Sequence, residues 1–250
     1  MIKNYGLIGE SLSHSFSKKY FEEKFSNLNL DNYIYTNFEL KEIKNVAEIL
    51  NIENLFGLNI TNPYKTSIIN YVDSLSIEAK DINAVNCIKK VNNKWVGFNT
   101  DYYGFSQSIK PFLEPKHNKA LIIGTGGASK AVAYALSKIG IDVFYLSRNV
   151  NAQQNVLGYN QLNKHVIEAC KLIVNCTPIG LYPNINDCPN LPYEFIAEDH
   201  LCYDLIYNPK ESLFLSKCKT QGALIVNGYS MLQLQAEKAW EIWNDFNVNF

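Results

Sequence analysis

Residues 120–131 read Ala120-Leu-Ile-Ile-Gly124-Thr125-Gly126-Gly127-Ala128-Ser129-Lys-Ala131: an apolar run, a glycine-rich turn, and the start of an alanine-rich stretch that reaches about Ile139. A short apolar run stopped by glycine is a buried strand, and the alanine-rich stretch after it is a helix. Glycines at such a junction let the backbone approach a pyrophosphate, while the helix amino terminus adds amide donors and a favourable dipole. A further strand at Asp142 to Leu146 completes a βαβ unit within about 30 residues, the spacing of a dinucleotide fingerprint. Ser129 stands where that fingerprint has its last glycine, so the match is to the variant G-x-G-G-A. The alternative is a tight strand-to-helix turn of any α/β fold. The candidate cofactor residues here are Gly124, Thr125, Gly126, Gly127 and Ala128.

At the end of the Asp142 strand, where an NAD site usually carries a carboxylate for the ribose hydroxyl, the chain reads Ser147-Arg148-Asn149. A guanidinium with no carboxylate beside it suits a 2'-phosphate, so NADP is the expected cofactor; an ordinary surface arginine is the alternative. Three more stretches, Leu172 to Gly180, Leu201 to Pro209 and Ala223 to Gly228, read as buried strands ending in small or polar residues. In a doubly wound sheet such carboxyl ends face the cofactor.

Before residue 120 the chain again alternates short apolar runs with amphipathic stretches, so the whole is α/β. Strands are expected at Lys3 to Ile8, Tyr33 to Phe38, Phe56 to Ile60, Ala84 to Val91 and Lys94 to Phe98, the last two joined at Asn92-Asn93 as a hairpin. Helices are expected at Ser17 to Asn27, Leu40 to Leu50, Lys65 to Tyr71 and Tyr103 to Phe112. A polar linker, Glu114 to Lys119, precedes the nucleotide strand. Three polar clusters follow strands: Ser13-His14-Ser15-Phe-Ser17, Asn59-Ile-Thr61-Asn-Pro63-Tyr-Lys65, and Gly97-Phe-Asn99-Thr100-Asp101. Neutral hydroxyls and amides in such density suit a polyhydroxylated ligand. A hydride leaving an alcohol carbon requires a group to take the hydroxyl proton, and Lys65 with Asp101 provides one. Structural alternatives stand beside each: Ser15 and Ser17 as helix caps, Asn59 and Thr61 as ties for the Pro63 turn, Lys65 as a solvated lysine.

The 250 residues are 47% hydrophobic and 19% charged, enough for one large or two modest cores, which excludes a disordered chain. With 23 Lys+Arg against 24 Asp+Glu, nothing points to nucleic acid or an anionic membrane as a partner. No apolar run approaches the roughly 20 residues that cross a bilayer, and Met1 to Gly6 leads into a strand without an export signal, so a soluble protein is expected. The six cysteines show no C-x-x-C pair and the four histidines no H-x-x-x-H pair. Reduced thiols in a cytoplasm and no metal are the expectation.

Taken together, Ser13 to Ser17, Asn59 to Lys65, Ala84-Val85-Asn86, Gly97 to Asp101, Gly124 to Ala128, Asn175-Cys-Thr-Pro-Ile-Gly180 and Gly228-Tyr-Ser-Met231-Leu-Gln-Leu-Gln235-Ala236 resemble the shikimate dehydrogenase family, in family order along nearly the whole chain. The resemblance implies reversible, NADPH-dependent reduction of 3-dehydroshikimate to shikimate, in a cleft between a substrate domain and a Rossmann-like domain. It implies a substrate domain over residues 1–101, to which a last helix within 229–250 returns, and an NADP domain over 102–228. By resemblance Ser15, Ser17 and Tyr207 hold the substrate carboxylate, and Thr61, Asn86, Asp101 and Gln235 contact ring hydroxyls. Lys65 matches the catalytic lysine and Asp101 its partner, with the formal base undecided between them. On the cofactor side the match covers Gly124 to Ala128, Ser147, Arg148, Asn149, Thr177, Leu205 and Gly228, with Met231 nearby. A small-molecule substrate and a monomer or homodimer are implied.

Several positions depart from the family pattern. Lys18 and Ser11 stand where proline is common, and Lys18 either adds charge near the substrate carboxylate or faces water. Ala152 replaces a second basic residue of the phosphate loop, which implies a weaker NADP preference, and Asn83 replaces a common glycine before Ala84-Val85-Asn86. A relative that also oxidises quinate, often with NAD, and a non-catalytic ligand sensor are the competing readings. A sensor has no chemical need for Lys65 and Asp101.

Overall fold

A computed structural model describes residues 1–13, 15–150 and 155–245. His14, Ala152 and residues 246–250, the end of the segment expected to hold the last helix, therefore lie outside the described residues. The chain divides into two compact units, Met1–Thr100 with the chain from Ala236 onward, and Asp101–Gln235.

The first unit contains β1 (Lys3–Gly9), α1 (Phe16–Asn27), β2 (Tyr33–Glu39), α2 (Val46–Leu50), β3 (Leu55–Ile60), β4 (Ser74–Leu75), α3 (Ile77–Ile82), β5 (Cys87–Val91) and β6 (Lys94–Phe98). Its sheet runs β2-β1-β3-β5-β6-β4. β1 is parallel to β2 and β3, while β3, β5 and β6 pair antiparallel. Alternation sends Tyr5, Leu7 and Cys87 to an aromatic core with Phe21, Phe25 and Trp243, and Ile8, Leu58 and Ile88 to the opposite core with Val46 and Ile68. The connection returns from β2 to β3 on the other side of β1, so the carboxyl ends of β1 and β3 meet at a switch point. There a Cβ on Gly9 would lie 2.6 Å from Thr61 Cγ2.

The second unit contains α4 (Asp101–Ile109), β7 (Lys119–Ile123), α5 (Gly127–Lys138), β8 (Asp142–Ser147), β9 (Val156–Gly158), α6 (Lys164–Ala169), β10 (Leu172–Asn175), β11 (Leu201–Asp204), α7 (Leu213–Thr220), β12 (Leu224–Val226) and the start of α8 (Tyr229–Asn244). Its sheet runs β12-β11-β10-β7-β8-β9 with every pair parallel. That is the doubly wound order of a dinucleotide-binding sheet, with the first strand, β7, beside the switch. Ala120 and Ile122 face one core with Val132, Tyr203 and Met231; Leu121 and Ile123 face the other with Ile167 and Phe214. Burial on both faces explains the unbroken apolar reading of β7.

Several expectations need correction. Leu40 to Leu50 is helical only from Ile43, first as a 3-10 turn and then as α2. The Leu40 backbone is engaged elsewhere: its amide donates to Gly9 O and its carbonyl accepts the Tyr64 hydroxyl. The segment after Pro63 makes turns and a 3-10 helix at Ser67–Tyr71, so Lys65 precedes the helix. Residues 84–86 are outside β5 because the Val85 amide bonds the Lys65 carbonyl at 2.7 Å. Asp101 and residues 229–235 fall in the second unit, where Gly104 of α4 packs so closely on α8 that a Cβ would lie 2.6 Å from Met231 O.

Asn83 explains its own departure. It closes α3 in the left-handed region, φ 55° and ψ 43°, where glycine is the usual residue and asparagine the best substitute. Asn83→Gly is therefore expected to keep or slightly raise stability, whereas Asn83→Val loses about 1–2 kcal/mol, read as a shift in urea midpoint. Equal midpoints for the Gly and Val variants would rule out a conformational role for this position.

Candidate functional site

The first unit gathers its polar clusters into one hydrogen-bonded chain. Ser15 caps α1, accepting weakly from the Lys18 amide at 3.5 Å, and leaves Ser17 in the first turn. Ser17 bonds the buried Tyr35 hydroxyl, whose pKa burial pushes well above the usual tyrosine value and Ser17 pulls back. Tyr35 donates to Asn59 Oδ1 at 2.8 Å. Asn59 reaches the Asn86 carbonyl at 3.5 Å, and Asn86 Nδ2 donates to Thr100 Oγ1 at 2.9 Å while its Oδ1 accepts the Thr100 amide. The 2.7 Å bond from the Val85 amide to the Lys65 carbonyl places the Lys65 turn beside Asn86. Thr61 lies at the β1–β3 switch, its amide donating to Ile8 O at 2.9 Å. Ser15, Ser17, Thr61 and Lys65 are half-buried, so a small ligand reaches them; Asn86 is buried. Lys18 is exposed and lies 3.8 Å from Glu22 on the same helix, which favours the water-facing reading.

In the second unit the candidate residues form a row along the carboxyl edge of the parallel sheet. Gly124 has φ +101°, a conformation that suits glycine, and a Cβ there would lie 3.0 Å from Thr177 Cγ2. Its amide donates to Leu146 O at 2.9 Å, tying the glycine turn to the end of β8. Ser147 accepts the Asn149 amide at 3.2 Å, and Arg148 and Asn149 are exposed. Arg148 is close enough to Tyr159 to oppose the rise that burial imposes on its hydroxyl. Farther along the edge, the Cys176 amide donates to Ile123 O and the Leu205 amide to Asn175 O, each at 3.0 Å. Gly228 follows β12, its amide donating to Ile206 O at 3.1 Å. Tyr207 is half-buried, and burial raises its hydroxyl pKa.

This edge fits a dinucleotide. Gly126, the residue just before α5, gives the helix no side-chain cap, and a Cβ on it would meet nothing within 4 Å. Open space over uncapped helix amides is what a pyrophosphate requires. Ser129, at the place of the missing glycine, is fully buried beside the Cys176 thiol, which burial pushes up; the serine packs inward and leaves the turn open.

Asp101 begins α4, buried, where a helix amino terminus favours a carboxylate. Its charge reaches Cys176. Gln235, also buried, packs its Cβ on the position of Gly104, one turn along from Asp101, and donates to Leu232 O at 2.8 Å.

Sequence reasoning passed over Asp204, which is fully buried at the end of β11. Burial pushes its carboxyl up to about 6, opposed by hydrogen bonds from Ser212 Oγ, the Ile206 amide and Asn175 Nδ2. Tyr35 and Thr100 were missed as supports of Asn59 and Asn86. The signal available for Asp204 was a carboxylate ending an otherwise apolar strand.

Fold and strand-end chemistry define a dinucleotide-binding α/β protein with a second α/β unit that carries a hydroxyl- and amide-rich cluster. Residues 7–88 match the family model of the shikimate dehydrogenase substrate binding domain. The chain is 37% identical to shikimate dehydrogenase (NADP(+)) of Methanococcus aeolicus, over 98% of this chain and 95% of that one. Shikimate dehydrogenase 1 of Peptoclostridium difficile aligns in structure with a TM-score of 0.87 at 36% identity, over 99% of this chain and 94% of that one. Shikimate 5-dehydrogenase of Thermus thermophilus, solved in complex with NADP(H) and shikimate, aligns with a TM-score of 0.82 at 28% identity, over 97% and 94% of the two chains. The chain belongs to the shikimate dehydrogenase family.

Proposed function

We propose that this protein is a shikimate dehydrogenase that reduces 3-dehydroshikimate to shikimate with NADPH, reversibly, in aromatic amino acid biosynthesis. The observation that carries the reading is the row of Ser147, Gly124, Thr177, Leu205 and Gly228 along the carboxyl edge of a doubly wound sheet, with an open, uncapped helix terminus at Gly126. NADPH supplies a hydride for the ketone carbon. Lys65 Nζ gives a proton to the ketone oxygen, so the product leaves as a neutral alcohol; in the reverse direction Nζ takes the hydroxyl proton. Asp101 shares the acid–base work. Ser15, Ser17 and Tyr207 hold the substrate carboxylate by hydroxyl donors, and Thr61, Asn86 and Gln235 contact ring hydroxyls. The half-buried positions of Ser15, Ser17, Thr61 and Lys65 limit the water around them.

Gly124 to Ala128 hold the pyrophosphate, Ser147, Arg148 and Asn149 the 2'-phosphate, and Thr177, Leu205 and Gly228 the remainder of the cofactor. The reaction is tested by nicotinamide absorbance with shikimate and NADP⁺, run beside NAD⁺ and beside quinate. Rapid reduction of NADP⁺ by shikimate supports the reading; equal rates with NAD⁺ or quinate move the protein to the broader-specificity branch. Folded protein inactive with every pair would sink the enzymatic reading. Arg148→Gln removes charge-assisted bonds to the phosphate and is expected to lower the NADP⁺ to NAD⁺ ratio of kcat/KM by about ten- to a hundredfold. An unchanged ratio would take Arg148 out of phosphate recognition.

A cytoplasmic setting is part of the proposal. All six cysteines are free, including Cys202 and Cys218, whose thiols are hydrogen-bonded in the core, the state that a reducing compartment maintains. Among the described residues no helix is long and apolar enough to cross a membrane.

A further inference from the structure

We propose that Asp204 is a positioning residue for the cofactor: through Asn175 and the Ile206 amide its buried carboxylate fixes Thr177 and Leu205 at neighbouring strand ends. The inference rests on the dinucleotide reading of that edge.

Asn175 Nδ2 donates to Asp204 Oδ1 at 3.0 Å. A carboxylate only accepts, so it orients the Asn175 amide and turns its carbonyl the other way. That carbonyl accepts the Thr177 amide at 3.1 Å and the Thr177 hydroxyl at 2.7 Å, and the hydroxyl accepts the Ile179 amide at 3.3 Å. Thr177 is thereby held with its methyl against Gly124 at the switch point. Asp204 Oδ1 also accepts the Ile206 amide at 3.0 Å, which fixes the chain directly after Leu205. The second oxygen accepts Ser212 Oγ at 2.5 Å, and Ser212 caps α7. Capping alone needs no buried carboxylate behind the serine. One acceptor-only group that sets two cofactor loops accounts for a charge retained where burial opposes it.

Calorimetric titration of the full chain with NADP⁺, beside its melting temperature, tests the assignment. Asp204→Ala leaves the Asn175 and Ile206 donors without their acceptor and is expected to raise the Kd for NADP⁺ by about tenfold or more. Asp204→Asn keeps an oxygen for both donors and offers its NH₂ to Ser212, so Kd stays within about threefold of wild type. At saturating cofactor and shikimate, kcat changes less than Kd. Asn175→Ala leaves Asp204 two of its donors, and so keeps the test open should Asp204→Ala fail to fold; its Kd is expected to rise like that of Asp204→Ala. Folded Asp204→Ala or Asn175→Ala with wild-type Kd and only a lower melting temperature would make the role structural and overturn the inference. So would loss of affinity in Asp204→Asn equal to that in Asp204→Ala. A folded wild type that binds no NADP⁺ overturns the cofactor reading and this inference with it.

Discussion

Lys65→Ala lowers kcat with shikimate and NADP⁺ by about 10²- to 10⁴-fold, the range for losing a positioned acid–base group, with a smaller change in KM for shikimate. The main-chain tie of this turn survives the truncation, because the bond to the Val85 amide uses the Lys65 carbonyl. Lys65→Arg distinguishes proton transfer from charge alone. A guanidinium keeps the positive charge but gives up no proton near neutral pH, so the Arg variant should stay nearly as slow as the Ala variant. Recovery of most of the rate by Arg would assign Lys65 an electrostatic role. Wild-type turnover in Lys65→Ala, measured by nicotinamide absorbance on folded protein, would remove it from the mechanism. Asp101→Asn, measured beside it, reports how the acid–base work is divided: a loss as large as that of Lys65→Ala makes the two groups one catalytic unit.

The strand that decides the fold was legible because both its faces are buried, which leaves an unbroken apolar run before the glycine turn. The Asn92-Asn93 hairpin was legible for a local reason as well, since both residues adopt positive φ, 49° and 65°. Short elements were not read: β4 has two residues and β9 three, too few for a period. Leu40 shows the opposite failure, a local helical pattern overridden by bonds to Gly9 and Tyr64 that only the folded chain brings near. The candidate site divides similarly. Ser15, Thr61, Lys65 and the glycines announce themselves by their place after strands, whereas Tyr35 supports Asn59 from 24 residues away and Asp204 supports Asn175 from 29. Partners at that distance leave no spacing rule in the sequence.

Gly228→Ala and Gly126→Ala should part company in a way that separates protein sterics from ligand sterics. A Cβ on Gly228 would lie 2.1 Å from Leu205 O and 2.5 Å from Leu205 C, both main-chain atoms, so the backbone after β11 must move. Such overpacking costs about 1–3 kcal/mol, a fall of several degrees in Tm. The displaced segment includes Leu205, whose amide bonds Asn175 O, and Ile206, whose carbonyl accepts the Gly228 amide, so the disturbance enters the cofactor edge directly. A misplacement of about 1 Å there is expected to lower kcat/KM for NADP⁺ by on the order of 10²-fold. Gly126 is different: a Cβ would meet nothing within 4 Å, and its backbone, φ −78° and ψ −175°, is open to alanine. Gly126→Ala should therefore melt with the wild type, yet bind NADP⁺ more weakly, because the new methyl occupies the space left for the pyrophosphate over the α5 amides. Calorimetry and thermal melting on the two variants decide the matter. Wild-type affinity in a stable Gly126→Ala protein would mean that the pyrophosphate does not lie on this turn, whatever Gly228→Ala does to the fold.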